Sequence, residues 1–232
     1  MTGEYLTIPT VDGEFKAYVA RPAAGSAPVV VVIQEIFGVN AVMREVAESL
    51  ASQGYLAIVP DLFWRIEPGV DITDKTKAEW DQAFALMNAF DVDKGVEDIQ
   101  TTLTFARQMP GASGKAGVVG YCLGGKLAFL AATRTDSDAS VSYYGVGLDT
   151  HLAEAERLSQ PLMLHVAGED KFSDDAARER LLVGLKNHPH VELFLYEGRD
   201  HAFARKGGEH YHAADAAKAD ARTLALFKRT LG

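Results

Sequence analysis

The sequence has little cysteine, and this limits the chemistry that can be built into the fold. One cysteine stands among 232 residues, so no intramolecular disulfide can form, and there is no C-x-x-C pair of the kind that dithiol redox enzymes use. A free thiol is compatible with a reducing compartment. Disulfide-stabilised and dithiol-redox proteins are thereby excluded.

The sequence also lacks clustered positive charge and long apolar runs. Its 23 Lys and Arg face 32 Asp and Glu, a formal net charge of -9, and there is no basic run. Phosphate binding needs clustered cations, so we expect no nucleic-acid partner. The first five residues do not form a signal region, and residues 29–33 are too short an apolar run to cross a bilayer. We therefore expect a cytoplasmic protein without membrane contact.

Enough apolar residues are present for one substantial core. The hydrophobic content is 47%, which suits a single domain over residues 1–232, and we find no internal repeat, linker or low-complexity segment. Alternating residues on both sides of Asp12-Gly13 predict an antiparallel hairpin from segments 4–9 and 14–20. The unbroken β-branched run at 29–33 predicts a central strand that is covered on both faces.

Strands and helices then alternate along the rest of the chain. Predicted strands lie at 55–59, 115–121, 139–144, 161–167 and 191–196, and predicted helices at 40–53, 79–90, 92–109, 126–132, 173–186 and 211–231. Such alternation is typical of an α/β protein with a doubly wound, mostly parallel sheet. The irregular segment 62–77 follows a central strand, where a loop can cap a site.

The lone cysteine lies in a pattern that predicts a nucleophile. Gly120-Tyr121-Cys122-Leu123-Gly124 follows a strand and precedes a helix, as in the G-x-S-x-G nucleophile elbow but with cysteine at its centre. Small residues two before and two after the nucleophile let the backbones pass closely. The amides at the start of the helix would favour a thiolate. The alternative is a core cysteine at the end of a strand.

A cysteine nucleophile needs a base, and the base needs an acid to orient it. In the α/β-hydrolase order, the acid follows the strand after the elbow helix and the histidine follows the last strand. Asp170 and His201 occupy these two loops. We therefore expect Cys122, His201 and Asp170 to form a catalytic triad, the alternative for His201 being a solvated surface histidine.

Other polar residues have simpler interpretations. Asp174 and Asp175 suit the dipole of the helix that we expect Ser173 to cap, and the side chain of Asp200 should point away from that of its neighbour His201. We expect His165 to be a hydrogen-bonded core residue. His188, His190, His210 and His212 are interpreted as surface residues, because neither H-x-H pair has a third ligand at useful spacing. No metal site is expected.

The loop after the first long strand predicts two further parts of the site. The backbone N-H groups of Ile36 and Leu123 are the expected oxyanion hole. Glu35 ends an apolar strand, where a carboxylate is costly unless it is solvated, paired or protonated. It could exchange a proton with the Cys122 thiol, or it could be a solvent-facing loop residue.

Five motifs together resemble the dienelactone hydrolase family over nearly the whole chain. They are Gln34-Glu35-Ile36-Phe37-Gly38-Val39-Asn40, Pro60-Asp61-Leu62, Gly120-Tyr121-Cys122-Leu123-Gly124-Gly125, Tyr143-Tyr144-Gly145-Val146-Gly147 and His201-Ala202-Phe203-Ala204-Arg205. The resemblance implies an α/β-hydrolase fold and hydrolysis of the enol-lactone carboxymethylenebutenolide in aromatic compound degradation. It implies no cofactor and no metal. It also implies a Cys122-His201-Asp170 triad, with Glu35 holding the resting thiol.

The resemblance is weaker around the expected substrate. Arg205 matches an arginine that binds the substrate carboxylate, and Tyr143 lies in a matched motif and is also expected to bind substrate. Trp80 stands where the family has a second arginine, and Phe84 stands where it has an aromatic hydroxyl. Ala202 replaces a frequent serine, and whether Lys75 or Lys77 takes the place of the missing arginine stays open. We expect a more apolar pocket.

Three functions follow, and the sequence leaves all of them open. The leading one is a cysteine-dependent hydrolase of small carboxylate-bearing enol-lactones or esters that works through an acyl-enzyme. A general carboxylesterase is favoured by Trp80 and Phe84, and a non-catalytic ligand-binding protein on the same fold is disfavoured by the complete set of site residues. The expected partner is a small molecule, and the expected state is a monomer.

Overall fold

A computed structural model describes residues 3–23 and 25–232. The chain divides into two compact units, residues 1–118 and residues 119–232, and each is described by itself. The organisation of the chain as one domain stays a prediction. None of the helices in the described part of the chain combines the length and the apolar composition that a membrane crossing requires.

The first unit contains the predicted hairpin and the first parallel strands. Its elements are β1 Glu4–Thr10, β2 Gly13–Ala20, β3 Ala27–Ile33, α1 Ala41–Ser52, β4 Leu56–Pro60, α2 Lys77–Ala89 and α3 Val92–Arg107, and β5 Ala112–Tyr121 crosses the boundary between the units. The strand order is β1-β2-β4-β3-β5. β1 and β2 pair antiparallel, as predicted, with Gly13 at φ 146° at the start of β2, directly after the turn.

Burial explains the position of β3. All seven of its residues are buried, and it runs parallel to β4. Strands covered on both faces are uniformly apolar, which is the pattern of the β-branched run. The two residues that follow β3, Gln34 and Glu35, are also buried. Two polar side chains are therefore buried directly after the carboxyl end of the strand.

The second unit contains parallel strands and the helices between them. Its elements are α4 Leu123–Arg134, β6 Ala139–Tyr143, a 3-10 helix Leu148–Arg157, β7 Leu162–Ala167, α5 Asp175–Leu185, β8 Val191–Tyr196 and α6 Ala213–Thr230. The strand order is β5-β6-β7-β8, and the pairs β6-β7 and β7-β8 are parallel. The predicted α/β class, with a mostly parallel sheet and an N-terminal antiparallel hairpin, is confirmed.

The starts of α5 and α2 differ from the sequence prediction for local reasons. Ser173 does not cap α5; Asp174 does, and its carboxylate accepts the N-H of Ala177. An ionised carboxylate is at least as good a cap as a hydroxyl. α2 begins at Lys77 rather than Glu79, because Thr76 and Glu79 form a capping box.

Candidate active site

The turn between β5 and α4 holds Cys122 in an unusual backbone conformation. Its φ and ψ are 58° and -115°, a region that residues other than glycine rarely adopt. Its N-H donates to the carbonyl of Tyr143 at 3.1 Å. A Cβ on Gly120 would lie 1.9 Å from the carbonyl oxygen of Gly124, so only glycine fits there. The predicted steric reason for the first glycine of the elbow is confirmed.

The start of α4 is packed just as closely against the end of β6. A Cβ on Gly125 would lie 2.6 Å from the Tyr143 carbonyl oxygen and 2.8 Å from Cα of Gly145. These contacts fix the path of the backbone on both sides of Cys122. A strained conformation persists only where the surroundings determine it, and here two close approaches do so.

The sulfur of Cys122 lies at the N-terminus of α4. The hydrogen-bond ladder of this helix begins with the N-H of Lys126, which donates to the Cys122 carbonyl at 3.1 Å. The N-H of Leu123 precedes that ladder, as the first N-H groups of a helix always do. The positive end of the helix dipole favours negative charge at this position. Cys122 is 8% exposed, so its charge would be only weakly screened by water.

His201 and Asp170 form a buried pair. Nδ1 of His201 lies 2.9 Å from Oδ2 and 3.1 Å from Oδ1 of Asp170. Both residues are buried, and Oδ1 of Asp170 also accepts the N-H of Phe172 at 2.9 Å. Because Nδ1 is used by the carboxylate, Nε2 is the nitrogen available for other partners. The Cys122 side chain is close enough to His201 to raise the pKa of the imidazole.

The electrostatics of His201 favour its charged form. Burial alone would lower its pKa, but the neighbouring Cys122 sulfur and the Asp170 carboxylate raise the pKa to about 10. At neutral pH the imidazole is then protonated. The cationic ring then lies between a carboxylate and a sulfur atom, and both of these neighbours favour its charge.

Aromatic rings surround the imidazole. Tyr144 and Phe172 lie edge-on to it, with centroid separations of 5.1 and 4.7 Å. Phe203 packs against Tyr144 at 5.7 Å. Tyr144 and Phe203 are fully buried, whereas Phe172 is half exposed. The rings limit the access of water to the His201-Asp170 pair, which strengthens its electrostatic interaction.

The loop after His201 places Arg205 by a second tight turn. Ala202 has φ 61°, and its carbonyl accepts the N-H of Arg205 at 2.9 Å. The N-H of His212 donates to the carbonyl of Phe203 at 2.8 Å, which ties the loop to the start of α6. Arg205 is partly buried. The side chain that was expected to bind a carboxylate is thus carried by the same constrained loop as the histidine.

The expectation that Tyr143 binds substrate is wrong. Its side chain is fully buried and points towards α6, where its hydroxyl lies 2.9 Å from Asp220 and 2.7 Å from Thr223. Successive residues of a strand point to opposite faces, and Tyr143 belongs to the face that packs on α6. The motif therefore contributes its next residue, Tyr144, to the surroundings of His201.

In the first unit, the residues after β3 are buried rather than solvated. Glu35 is 2% exposed and Ile36 is 3% exposed, which excludes the solvent-facing alternative for Glu35. Oε1 of Gln34 accepts the N-H of Leu62 at 3.1 Å, so the segment is joined to the loop after β4. The backbone that carries the expected oxyanion donor is therefore held in place.

Trp80 and Phe84 form an aromatic cluster with Phe37 in the first unit. The rings of Trp80 and Phe84 stack at 5.5 Å, and Trp80 meets the edge of Phe37 at 5.0 Å. Nε1 of Trp80 donates to the carbonyl of Asp74 at 3.0 Å. Phe84 is 38% exposed. The cluster joins α2 to the loop that carries Ile36, and it presents apolar surface.

The candidate replacements for the family's second arginine are largely exposed. Nζ of Lys77 lies 2.6 Å from Asp81, and its side chain is 86% exposed. Lys75 pairs with Asp74 at 3.1 Å and is 61% exposed. Among the described residues there is no group of three or more His, Cys, Asp or Glu side chains that could hold a metal ion.

Sequence reasoning missed the part that Asp200 plays beside the histidine. Its Oδ1 accepts the backbone N-H of His201 at 2.7 Å and that of Lys171 at 3.1 Å. The available signal was the residue type, since Asp side chains often accept nearby backbone N-H groups in turns. The second of these bonds depends on the fold and has no local signal.

Comparison with known proteins identifies the family. Residues 15–231 match the Dienelactone hydrolase family. A protein of Azospirillum brasilense named "Putative carboxymethylenebutenolidase" is 51% identical over 222 residues, which cover 95% of this chain and 96% of that protein. The carboxymethylenebutenolidase of Pseudomonas putida is 41% identical over 225 residues, covering 97% of this chain and 95% of that enzyme.

A solved structure supports the same assignment. The crystal structure described as "Putative Dienelactone Hydrolase" from Klebsiella pneumoniae has a TM-score of 0.84 at 27% identity, covering 97% of this chain and 98% of that one. The family match, the similar proteins and the similar structure all indicate the same family. The chain is a hydrolase that belongs to the dienelactone hydrolase family.

Proposed function

We propose that this chain is a cysteine-dependent hydrolase of small esters and lactones that works through an acyl-enzyme. One observation carries the proposal: His201 lies between Asp170 and Cys122, and Cys122 is strained into an elbow at the N-terminus of α4. A nucleophile, a base and a group that orients the base are the minimum set for acyl transfer. The relatives named above as carboxymethylenebutenolidases support the reaction class.

In the first step, the Cys122 thiolate attacks the acyl carbon of the substrate. The N-H of Leu123 stabilises the oxyanion from the helix end, and from the sequence motif we retain the N-H of Ile36 as second donor. The bond to the leaving oxygen breaks, and Nε2-H of His201 protonates that oxygen. The product of this step is a thioester on Cys122.

In the second step, water hydrolyses the thioester. Nε2 of His201, now neutral, removes a proton from the water, and the resulting hydroxide attacks the acyl carbon. The carbon-sulfur bond breaks and returns the thiolate beside an imidazolium, while the acid leaves. Asp170 holds the ring in one orientation throughout, because its carboxylate occupies Nδ1. From the family resemblance we propose that the resting sulfur of Cys122 is a thiol held by Glu35, whose carboxylate takes the thiol proton before the attack.

Two features of opposite character bear on the proposed substrate class. Arg205 is proposed to bind a carboxylate of the substrate, which makes carboxymethylenebutenolide the leading substrate. The Phe37-Trp80-Phe84 cluster is the observation that favours a second candidate, a carboxylesterase for neutral substrates with apolar acyl groups. We propose that the enzyme acts as a monomer on small molecules in the cytoplasm, where a reducing medium keeps the thiol free.

A comparison of matched substrates tests both candidates. The values of kcat/KM for carboxymethylenebutenolide and for its methyl ester would be measured with the native chain and with Arg205→Met. Loss of a charge-assisted bond of about 1.5–3 kcal/mol should lower the rate on the acid by about 10- to 100-fold, with little change for the ester. Lys206→Met, which removes an exposed neighbouring cation, is the control.

The possible outcomes separate the three functions. A preference for the acid that Arg205→Met abolishes supports the lactone hydrolase. Faster turnover of the ester, unchanged in Arg205→Met, favours the carboxylesterase. Tight binding of either compound without turnover, by the native chain and by Cys122→Ala alike, would overturn the enzymatic proposal in favour of a binding protein.

A further inference from the structure

Asp200 lies where the two loops that carry Asp170 and His201 meet. β7 and β8 are parallel neighbours, and the loops leave their carboxyl ends side by side. Beyond the strands, the N-H of Gly168 donates to the Tyr196 carbonyl at 2.9 Å, and that of Glu169 donates to the Arg199 carbonyl at 2.8 Å. Pairing between the loops thus continues from the sheet up to the residue before the acid.

At the next position, the two loops are linked by a side chain rather than by backbone hydrogen bonds. Oδ1 of Asp200 accepts the N-H of Lys171 at 3.1 Å and the N-H of His201 at 2.7 Å. Lys171 is the residue after Asp170, so one oxygen atom holds the backbone beside the acid and the backbone of the histidine. Oδ2 pairs with Nζ of Lys171 at 2.8 Å and lies 3.6 Å from Nε2 of His210.

The surroundings of Asp200 suit an ionised carboxylate in this place. Its side chain is 16% exposed. Partial burial raises its pKa, but the hydrogen bonds from Lys171 and from the backbone of His201 outweigh that effect, so the pKa lies below its ordinary value. Hydrogen bonds to a charged acceptor are stronger than neutral ones.

The histidine loop needs such a restraint. Ala202, directly after His201, has φ 61°, a conformation that costs about 1–2 kcal/mol for a residue with a Cβ. On the far side of this residue the loop is held by the bonds from Arg205 to Ala202 and from His212 to Phe203. On the N-terminal side of Ala202, the hydrogen bond from the N-H of His201 to Asp200 restrains the loop.

We propose that Asp200 is a positioning residue for the reaction, whose carboxylate fastens the histidine loop to the acid loop and so sets the geometry of the His201-Asp170 pair. The proposal rests on the proposed function for its effect on turnover. It assigns Asp200 no contact with substrate. A displacement of a catalytic group by about 1 Å can cost about 100-fold in rate. An enzyme that loses the hydrogen bonds of Asp200 should therefore turn over substrate more slowly without binding it less tightly.

Two substitutions separate the acceptor from the rest of the side chain. Asp200→Asn keeps Oδ1 as acceptor for both N-H groups, whereas Asp200→Ala removes it. We expect Asp200→Ala to lower kcat by about 10- to 100-fold with KM nearly unchanged, and Asp200→Asn to stay within about threefold of the native kcat. The control is Asp149→Ala, which removes a similarly shielded carboxylate that pairs with Arg180 in the same unit.

A spectroscopic measurement on the resting protein tests, without substrate, whether Asp200 holds the two loops together. The proton on Nδ1 of His201, bonded to Asp170, should give a low-field proton NMR signal near neutral pH. We expect the signal to persist in Asp200→Asn and Asp149→Ala and to be lost or broadened by exchange in Asp200→Ala. Thermal unfolding of each variant verifies that the comparison is made on folded protein.

The two measurements distinguish failure of this proposal from failure of the proposed function. Native kcat and an intact signal in Asp200→Ala would overturn the proposal, and so would an Asp200→Asn variant that is as slow as Asp200→Ala. If the native chain hydrolyses none of the esters and lactones, the proposed function fails. The NMR comparison then decides alone. Loss of the signal only in Asp200→Ala supports the positioning role of Asp200, and retention of the signal in that variant overturns it.

Discussion

Two buried histidines of the second unit, His165 and His201, behave in opposite ways. They are 1% and 6% exposed, so burial alone would make both neutral. The pKa of His165 is lowered to about 3, whereas that of His201 is raised to about 10. The two sites differ in the charges that face the ring, and this difference separates a structural histidine from a candidate catalytic one.

His165 sits within a chain of hydrogen bonds between the sheet and α6. Arg222 donates to the Tyr196 hydroxyl at 3.0 Å, and this hydroxyl lies 2.9 Å from Nδ1 of His165. Nε2 of His165 lies 3.1 Å from Oγ1 of Thr223, which lies 2.7 Å from the Tyr143 hydroxyl. Both ring nitrogens meet hydroxyl groups, which a neutral imidazole satisfies as one acceptor and one donor.

No carboxylate in the described part of the chain is bonded to His165, and the charge that shifts its pKa is the cation Arg222. Burial and this like charge both lower its pKa. His201 has a carboxylate on one nitrogen and a sulfur as its other partner, so opposite charge outweighs burial. Burial makes the pKa shift of each histidine large, and the charge of its partners decides whether the pKa is raised or lowered.

Replacement of Cys122 should have the largest effect on the difference between the two histidines. We expect Cys122→Ala to lower turnover by at least about 10,000-fold, because loss of a nucleophile removes the covalent route. The same change should lower the pKa of His201, since the sulfur is the largest influence that raises it. Turnover is measured with a chromogenic aryl ester, and the pKa by NMR titration of the ring. Undiminished hydrolysis would contradict the mechanism, and an unchanged pKa would contradict the electrostatic account.

Replacement of Asp170 by Asn should have the next largest effect. It removes the negative charge and offers Nδ1 of His201 an amide, so that the ring is no longer held in the required tautomer. We expect kcat to fall by about 1,000- to 10,000-fold, as for other triads of this kind. Asp174→Asn is the control, because either side chain caps α5. Equal rates for the two variants would show that the acid has been assigned to the wrong residue.

The pH dependence of stability should reveal His165. Its pKa is about 3 in the folded protein against an ordinary value of about 6.5. A lowered histidine pKa stabilises the fold above the unfolded pKa, and this contribution is lost as the pH falls from about 6.5 towards 3. His201, whose pKa is raised, has the opposite sign: its contribution is full below about 6.5 and is lost as the pH rises through about 10.

Between pH 7.5 and pH 5, the native chain should therefore lose about 2 kcal/mol of unfolding free energy through His165. Urea unfolding at the two pH values measures the change. His165→Gln, which cannot titrate in this range, should lose about 2 kcal/mol less than the native chain over the same interval. Parallel losses in both proteins would mean that His165 binds its proton as easily in the folded as in the unfolded state.

The sequence predicts the fold well because its signals are local or periodic. The hairpin at Asp12-Gly13, the buried run of β3 and the strand-helix alternation needed no long-range information. The steric requirement at Gly120 could also be read directly from the elbow pattern. Helix starts were less certain, since Ser173 and Asp174 are both good caps and only the path of the loop decides between them.

Side-chain direction at the site was harder to predict. Tyr143 and Tyr144 are adjacent in one motif, and the bend at Tyr144, with φ 38°, decides which of them meets His201. The bond from Lys171 to Asp200 joins residues 29 apart, so no local pattern encodes it. The roles of Cys122, His201 and Asp170 stay predictions, although the geometry that those roles need is present for the histidine and its acid.

Replacement of Thr223 should change the protein least, and it tests the surroundings of the structural histidine, His165. Thr223→Val keeps the shape of the side chain but removes the oxygen that faces Nε2 of His165. A buried ring nitrogen without its hydrogen-bond partner should cost about 1 kcal/mol of unfolding free energy or somewhat more, as measured by urea unfolding at pH 7.5. Turnover should not change, because this hydrogen-bond chain lies on the α6 face of the sheet and reaches Tyr143 rather than Tyr144. A large loss of kcat at unchanged stability would place His165 in the active site and remove the distinction between the two histidines.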